Sequence, residues 1–295
     1  MDLPKPFPIL RLPFVPLQEV FKAMDPFQII NFSMISKRTK AVTKQMTFYS
    51  KYSIQLIIDE ELKVSIHGSK NMTQCVYIFT SKEEKGGKVA ENSRKSWNKL
   101  IVWKYSNNLI EEWKQLCKHV LEIFKKQTID ILSMTLDAFV DEKVSIINFL
   151  KTNWKSVTDC NLFQSEEEND VDEHAVYLLE NIKITSNLLF LFDVKNDNFD
   201  GKIPKNLKEL YLPNSHWIGY ERLLEIDCKI VILEKNRISD EQWNLFIKKW
   251  IAMETHLNLV YLQIIYRNFE EFRELVLHDI PHEVVDGAVK RVLKT

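Results

Sequence analysis

The sequence predicts a two-part α+β protein, in which an all-helical N-terminal module is followed by an α/β domain. Two apolar helical segments meet at Asp25-Pro26, and a short strand-like pattern recurs through the second half of the chain. The 295 residues, 45% of them hydrophobic, suffice to bury a substantial core. We predict the helical module at residues 1–50, a small sheet with a connecting helix at 51–126, and a repetitive domain at 127–295.

The N-terminal module is predicted from apolar spacing and from helix-start signals. Leu17, Val20, Phe21 and Met24 are spaced so that they share one face of a first helix. Asp25-Pro26 starts a second helix, because Asp accepts from a free amide and Pro fits the first helical position.

Apolar residues cover more than one face of this second helix, which indicates that it contacts more than one surface. They are Ile29, Ile30, Phe32, Met34 and Ile35. A third helix is predicted from the polar run at Ser36 through Val42.

The middle of the chain is predicted to form strands and one helix. Alternating apolar residues indicate strands at 52–58, 62–67 and 74–79. Residues 82–88 are charged and glycine-containing and indicate a loop, and residues 106–126 have helical spacing.

The second half contains six segments that fit the pattern L-x-x-L-x-L of leucine-rich repeats when any apolar residue may replace Leu. The best is Cys228-x-x-Val231-x-Leu233-x-x-Asn236, and the others begin at residues 131, 157, 189, 207 and 259. The mean step is about 26 residues, but the steps are irregular and the final Asn is mostly missing. The sequence therefore predicts a degenerate leucine-rich-repeat-like domain, and an ordinary α/β domain with parallel strands remains the alternative.

Two further segments of this half have a predicted conformation. Residues 238–251 form a helix, with a capping box at Ser239 and Gln242 and an apolar stripe. The stripe consists of Trp243, Phe246, Ile247, Trp250 and Ile251. The acidic run at 166–173 is predicted to be an exposed loop.

Composition excludes several classes of function. The formal net charge of −1 provides no field for nucleic acid, and no apolar run approaches the roughly 20 residues of a membrane span. The N-terminus lacks the pattern of a secretory signal, so an intracellular location, cytoplasmic, nuclear or both, is expected. The four cysteines have no paired spacing and are expected to be buried, reduced thiols.

The sequence contains no pattern that predicts catalysis, a metal or a cofactor. Pro281 interrupts His278 and His282, and no cysteine lies near them. An enzyme would be supported by a deep pocket that joins polar residues such as His216 and Asp227. Any exposed tryptophan among Trp217, Trp243 and Trp250 would be a candidate partner contact.

Residues 12–38 resemble an F-box. The resemblance rests on the Leu12-Pro13 pair, the apolar positions of the first helix, the Asp25-Pro26 break, and Phe32-Ser33, Ile35-Ser36 and Lys37-Arg38. The chain departs from the usual pattern at Val15-Pro16 and at Thr39, where many F-boxes have Trp.

The C-terminal half is similar to the F-box-associated domain of the large nematode F-box family. The similarity rests on residues 210–218, 223–224, 228–233 and 244–251 and on Leu259. It implies a non-catalytic substrate-recognition subunit of a Skp-adaptor/cullin/F-box ubiquitin ligase that binds an unidentified protein target. An F-box scaffold or adaptor-sequestering protein outside a ligase is the alternative.

The resemblance also implies which residues contact the Skp-type adaptor. They are the apolar residues Leu12, Pro13, Leu17, Val20, Phe21, Met24, Ile29, Phe32 and Ile35.

Overall fold

The computed structural model describes residues 9–47, 52–68, 74–94, 97–264 and 269–283. Within these ranges, three N-terminal helices precede an eleven-stranded mixed sheet and its connecting helices. The helices of the first part are α1 (Phe14–Ala23), α2 (Pro26–Met34) and α3 (Lys37–Met46).

The sheet part begins with β1 (Tyr52–Ile58), β2 (Leu62–Gly68), β3 (Gln74–Thr80), β4 (Val89–Arg94), β5 (Trp97–Tyr105) and α4 (Leu109–Ile123). It continues with β6 (Thr128–Thr135), α5 (Lys143–Asn153), β7 (Ser156–Phe163), α6 (Asp172–Asn181) and β8 (Ile184–Leu191). The remaining elements are β9 (Leu207–Leu212), α7 (Tyr220–Glu225), β10 (Cys228–Leu233), α8 (Asp240–Ile251), β11 (Tyr261–Ile264) and α9 (Phe269–Leu275).

The strand order is β11-β10-β9-β8-β7-β6-β1-β2-β3-β5-β4. From β11 through β6 to β1 every neighbouring pair is parallel, whereas β1-β2, β2-β3 and β4-β5 are antiparallel. Because β1 pairs with β6, the predicted small sheet and the predicted repetitive domain share one sheet, and residue 127 does not divide it.

The described residues cover one face of the parallel strands and leave the other uncovered. The register aligns Leu132, Cys160, Leu188, Leu210 and Val231 in one row, and each of these side chains is at most 1% exposed. Their chain neighbours point the other way and remain half-buried or exposed, apart from the buried Ser133. The crossover helices bury their apolar residues in the same core as this row, so they cover this face of the sheet.

Most of the predicted elements are confirmed. The strands predicted at 52–58, 62–67 and 74–79 and the helices in 106–126 and 238–251 are present. The strands β4 and β5 were not predicted.

The register corrects two of the six predicted repeat segments. In the pattern, the second apolar position of the segments that start at 131 and 189 is Met134 and Phe192. The register instead places Leu132 and Leu188 at this position, so the two segments were predicted two and four residues too late. The row then has spacings of 28, 28, 22, 21 and 31 residues, ending at Leu262.

Polar side chains after the strands connect neighbouring segments where the expected Asn residues are missing. Asp137 accepts from the Ser165 N–H at 2.9 Å, Gln164 accepts from the Asp193 N–H at 3.0 Å, and the Ser215 hydroxyl donates to the Glu234 carbonyl at 2.5 Å. Asn236 instead accepts from the Trp243 indole at 3.3 Å. Different polar side chains therefore form hydrogen bonds with the backbone groups that follow each strand.

Two local predictions are wrong in part. Asp172, at the end of the acidic run, begins α6, and its buried carboxylate accepts from the N–H groups of Lys195 and Asn196 at 3.1 and 2.7 Å. Ile251, assigned to the apolar stripe of α8, is 61% exposed because it lies at the last helical position. The prediction of buried free thiols is confirmed for all four cysteines.

Candidate interaction surfaces

Local side-chain hydrogen bonds define the helix starts of the N-terminal module. Asp25 accepts from the Gln28 N–H at 2.8 Å, and the Gln28 side chain accepts from the Asp25 N–H at 3.1 Å. Ser36 and Thr39 form the same reciprocal arrangement at the start of α3. Thr39, which departs from the F-box pattern, therefore has a defined role as part of a cap.

The nine predicted adaptor-contact residues fall into three groups. Leu17, Phe21 and Ile29 are buried in the protein's own core, Leu12, Val20, Met24 and Phe32 are half-buried, and Pro13 and Ile35 are exposed. The first group stabilises the module, as the edge-to-face contact of Phe21 with Phe32 at 5.6 Å illustrates. In this structure a partner can contact only the half-buried and the exposed residues.

The module also exposes large apolar side chains, of which only Ile35 was predicted to contact the adaptor. Phe14 and Val15, in the first turn of α1, are 62% and 65% exposed. Met34 and Ile35, at the end of α2, are 44% and 72% exposed. Helical spacing places Phe14 on the same stripe as Leu17 and Phe21, so the sequence offered no signal that its position in the first turn leaves it exposed.

The module is joined to the rest of the protein through α4. The Ser33 hydroxyl and His119 Nε2 are 2.7 Å apart, and Glu122 pairs with Lys40 and Lys44 at 2.7 and 3.2 Å. Burial lowers the pKa of His119, and the charge of Lys40 adds to this effect. Together with the shared core, these contacts fix the module relative to the sheet.

The uncovered side of strands β7–β11 forms a second surface, which we call the open face. It consists of Asp159, Asn161, Asn187, Leu189, Glu209, Tyr211, Ile230, Ile232, Tyr261 and Gln263. Their side chains are half-buried or exposed, and Tyr261 is 49% exposed. No lysine or arginine occurs among these ten residues.

The carboxylates of the open face lie in one row. Asp159 and Glu209 are both paired with Asn187, which lies between them on β8. One carboxylate oxygen of Asp159, Oδ1, is buried and has no hydrogen-bond partner among the described residues. Burial raises the pKa of Asp159, although hydrogen bonding with Asn187 and the charge of Lys208 act in the opposite direction. Tyr211 donates to Glu234 at 3.2 Å beside this row.

The tryptophans considered as partner contacts belong to the core instead. Trp217 and Trp243 are buried and Trp250 is half-buried. The aromatic residues on the open face are Tyr211 and Tyr261, which the sequence pattern did not distinguish from core residues.

An open cleft of about 750 Å³ lies at the amino ends of β9–β11 and is lined by Arg222, Asp227, His256 and Asn258. His216 does not line it and lies 3.9 Å from Asp193 at the opposite ends of the strands. His216 and Asp227 are therefore not joined in one pocket, which was the arrangement that would have supported an enzyme. Among the described residues there is also no cluster of three or more metal-ligating side chains and no helix that could span a membrane.

Comparisons with known proteins agree with the two-part organisation. A family model described as "F-box domain" matches residues 9–51, and one described as "F-box associated" matches residues 198–264. No solved structure matches the chain significantly.

Two curated relatives from Caenorhabditis elegans match the chain. The Skn-1 dependent zygotic transcript 15 protein is 21% identical over 267 residues, which cover 84% of this chain and 76% of that protein. The E3 ubiquitin-protein ligase hecw-1 is 24% identical over 279 residues, which cover 84% of this chain and 22% of that protein.

The structure and the family matches agree on a helical N-terminal module followed by a mixed α/β domain. Residues 9–51 match an F-box domain and residues 198–264 match an F-box-associated segment, and the matched relatives are nematode proteins. The resemblance inferred from the sequence is thereby confirmed. F-box domains bind Skp-type adaptors of cullin ligases.

Proposed function

We propose that this chain is a substrate-recognition subunit of a Skp-adaptor/cullin/F-box ubiquitin ligase. Its F-box binds the adaptor, and its α/β domain holds a protein target on the open face. The observation that carries the proposal is the exposure of Phe14, Val15, Met34 and Ile35 on an F-box that is anchored to the sheet.

The adaptor contact is formed by the apolar residues that the F-box leaves accessible. Pro13, Phe14, Val15, Met34 and Ile35 form its exposed part. The half-buried residues at its margin are Leu12, Val20, Met24 and Phe32. Large apolar side chains of this kind are typical anchors of protein interfaces, because their burial removes apolar area from water.

We propose that the α/β domain is a degenerate leucine-rich-repeat-like domain. Three features support this proposal: sequential parallel strands occur about every 26 residues, their aligned apolar row faces the crossover helices, and polar side chains connect neighbouring segments. Such a sheet offers an extended surface for a partner protein.

The mechanism is proximity. A target held on the open face lies at a fixed distance from the adaptor, because the F-box and the sheet share one core. A ubiquitin-loaded enzyme supplied by other subunits then meets the target's lysines at a raised effective concentration. The name of the relative hecw-1, an E3 ubiquitin-protein ligase, agrees with a role in ubiquitin transfer.

The adaptor contact is tested by co-purification of the full chain with a Skp-type adaptor. We expect Phe14→Ala/Ile35→Ala to reduce adaptor recovery at least about tenfold, since interface anchors each contribute roughly 1–2 kcal/mol. Ile251→Ala/Met253→Ala removes two exposed apolar side chains from another region and should leave recovery unchanged. Equal recovery of wild type and the F-box variant would contradict the assignment.

A cullin pull-down separates the ligase subunit from the alternative. A ligase subunit retains the cullin through the adaptor. A scaffold or adaptor-sequestering protein retains the adaptor alone, and that result would favour the alternative over our proposal.

A further inference from the structure

We infer that the open face binds an extended, basic segment of the target, which carries lysine or arginine together with a large apolar side chain. This inference rests on the proposed function, and it specifies the chemistry of the target segment that the open face binds. It is based on the charges of the open face, on the spacing of its carboxylates and on its apolar row.

The charges of the open face have one sign. Asp159 and Glu209 are its ionisable carboxylates, Glu234 lies beside them, and the face itself contains no lysine or arginine. Lys208, at the start of β9, is the nearby cation that acts on Asp159. A basic partner is attracted to this row, whereas an acidic protein or a nucleic acid is repelled.

The spacing of the carboxylates suits an extended polypeptide. Asp159 and Glu209 are separated by two strand spacings, roughly 10 Å. Alternate side chains of an extended segment are roughly 7 Å apart, and the length of two lysine or arginine side chains covers the difference. Both carboxylates are therefore within reach of basic residues two positions apart in the partner.

The burial of Asp159 also favours a cationic partner. Its Oδ1 is buried without a hydrogen-bond partner among the described residues, which is a costly arrangement for a carboxylate oxygen. A guanidinium or ammonium group that docks beside Asn187 places the opposite charge next to this half-buried carboxylate.

Apolar contacts accompany the charged ones. Leu189, Tyr211 and Ile232 are aligned in neighbouring strands next to the carboxylate row and are only half-buried. Tyrosine is favoured at interface centres because its ring buries apolar area while its hydroxyl keeps a hydrogen bond. A large apolar side chain of the partner covers this row, so the recognised segment is both basic and apolar.

The test measures peptide binding by the full chain in complex with its adaptor. The probe is a fluorescein-labelled peptide of about twelve residues that carries lysines and leucines among glycines and serines. Matched peptides replace every lysine by glutamine or by glutamate. We expect the lysine peptide to bind at least about tenfold more tightly than the glutamine peptide, with an affinity that falls as salt is added.

Asp159→Asn/Glu209→Gln should remove most of this preference and weaken binding of the lysine peptide about tenfold. Glu173→Gln/Glu180→Gln is the matched control, because it removes two exposed carboxylates from α6 on the helix-covered side of the sheet. If Asp159→Asn impairs folding, Glu209→Gln alone should still produce a smaller loss in the same direction.

Equal binding of the lysine and glutamine peptides would overturn the inference. So would an equal loss in the α6 control, because the charge effect would then not belong to the open face. Adaptor and cullin recovery is measured on the same variants. Intact recovery without a charge preference contradicts this inference alone, whereas lost recovery in the wild-type chain contradicts the proposed function.

Discussion

The N-terminal helical module and the parallel half of the sheet are built alike, but their open sides differ in chemistry. Each buries one side in the common core and has another side that no described part of the chain covers. The module exposes apolar side chains such as Phe14 and Ile35, whereas the open face carries carboxylates, amides and tyrosines around a few apolar residues. We propose that the first surface binds by burial of apolar area and that the second discriminates by charge and hydrogen bonding.

The proposed function thereby places a general docking surface and a selective one on two regions that share one core. The bonds from Glu122 to Lys40 and Lys44, and from the Thr47 hydroxyl to the Ile123 carbonyl, connect the two regions through α4. A change on one open side should therefore leave the other side's geometry intact, while a change in the common core should affect both.

The largest effect is expected from a phenylalanine in the core of the helical module. Phe21 is 3% exposed and Phe14 is 62% exposed. We expect Phe21→Ala to lower the free energy of unfolding by about 3–5 kcal/mol, because it leaves a cavity next to Phe32. Phe14→Ala should change it by less than about 0.5 kcal/mol. Urea unfolding of the two variants measures the difference, and similar losses would mean that the open side of the module is also needed for stability.

Two consecutive leucines of β8 allow the same comparison in the sheet. Leu188 is 1% exposed in the buried row on the helix-covered face, whereas Leu189 is half-buried on the open face. We expect Leu188→Ala to cost about 2–4 kcal/mol and Leu189→Ala about 1 kcal/mol or less. Thermal and urea unfolding of the full chain test this expectation. A larger loss for Leu189→Ala would show that the assignment of the two faces is reversed.

The sequence predicted helix starts better than it predicted strand register. A cap depends on residues three positions apart, so Asp25 with Gln28 and Ser239 with Gln242 could be recognised locally. Register depends on pairing between distant segments. On β8 the apolar residues occupy both faces, so a pattern that starts at Leu189 fits as well as the observed one, which places Leu188 in the core row.

The candidate surfaces were predictable only in part for a related reason. The spacing of Leu17 and Phe21 identified a helix face correctly, but it did not reveal whether that face meets a partner or the protein's own core. The answer depends on the packing of the module against α4 and the sheet, which is a tertiary contact. The open face was likewise not predictable, because Asp159 and Glu209 become neighbours only through parallel pairing with β8.

The smallest of the predicted effects concerns Lys143, a charge on the covered side of the sheet. Its side chain is fully buried at the first position of α5, and its Nζ donates to the Thr135 carbonyl at 2.6 Å. Burial lowers the pKa of Lys143 to about 8, although the charge of Asp137 opposes this. In the unfolded chain the lysine side chain has its ordinary pKa of about 10.4. The unfolded state therefore binds more protons in this range, and folding becomes more favourable as the pH rises from about 7 to 9.

Replacing this lysine isolates its contribution to the pH dependence. Between pH of about 7 and 9, we expect the free energy of unfolding of the wild type to rise relative to Lys143→Met by on the order of 1 kcal/mol. Lys183→Met, at an exposed lysine, is the control and should parallel the wild type. Urea unfolding at several pH values measures the three curves. Parallel curves for the wild type and Lys143→Met would show that Lys143 reaches solvent, so that the covered side of the sheet tolerates a charge as the open face does.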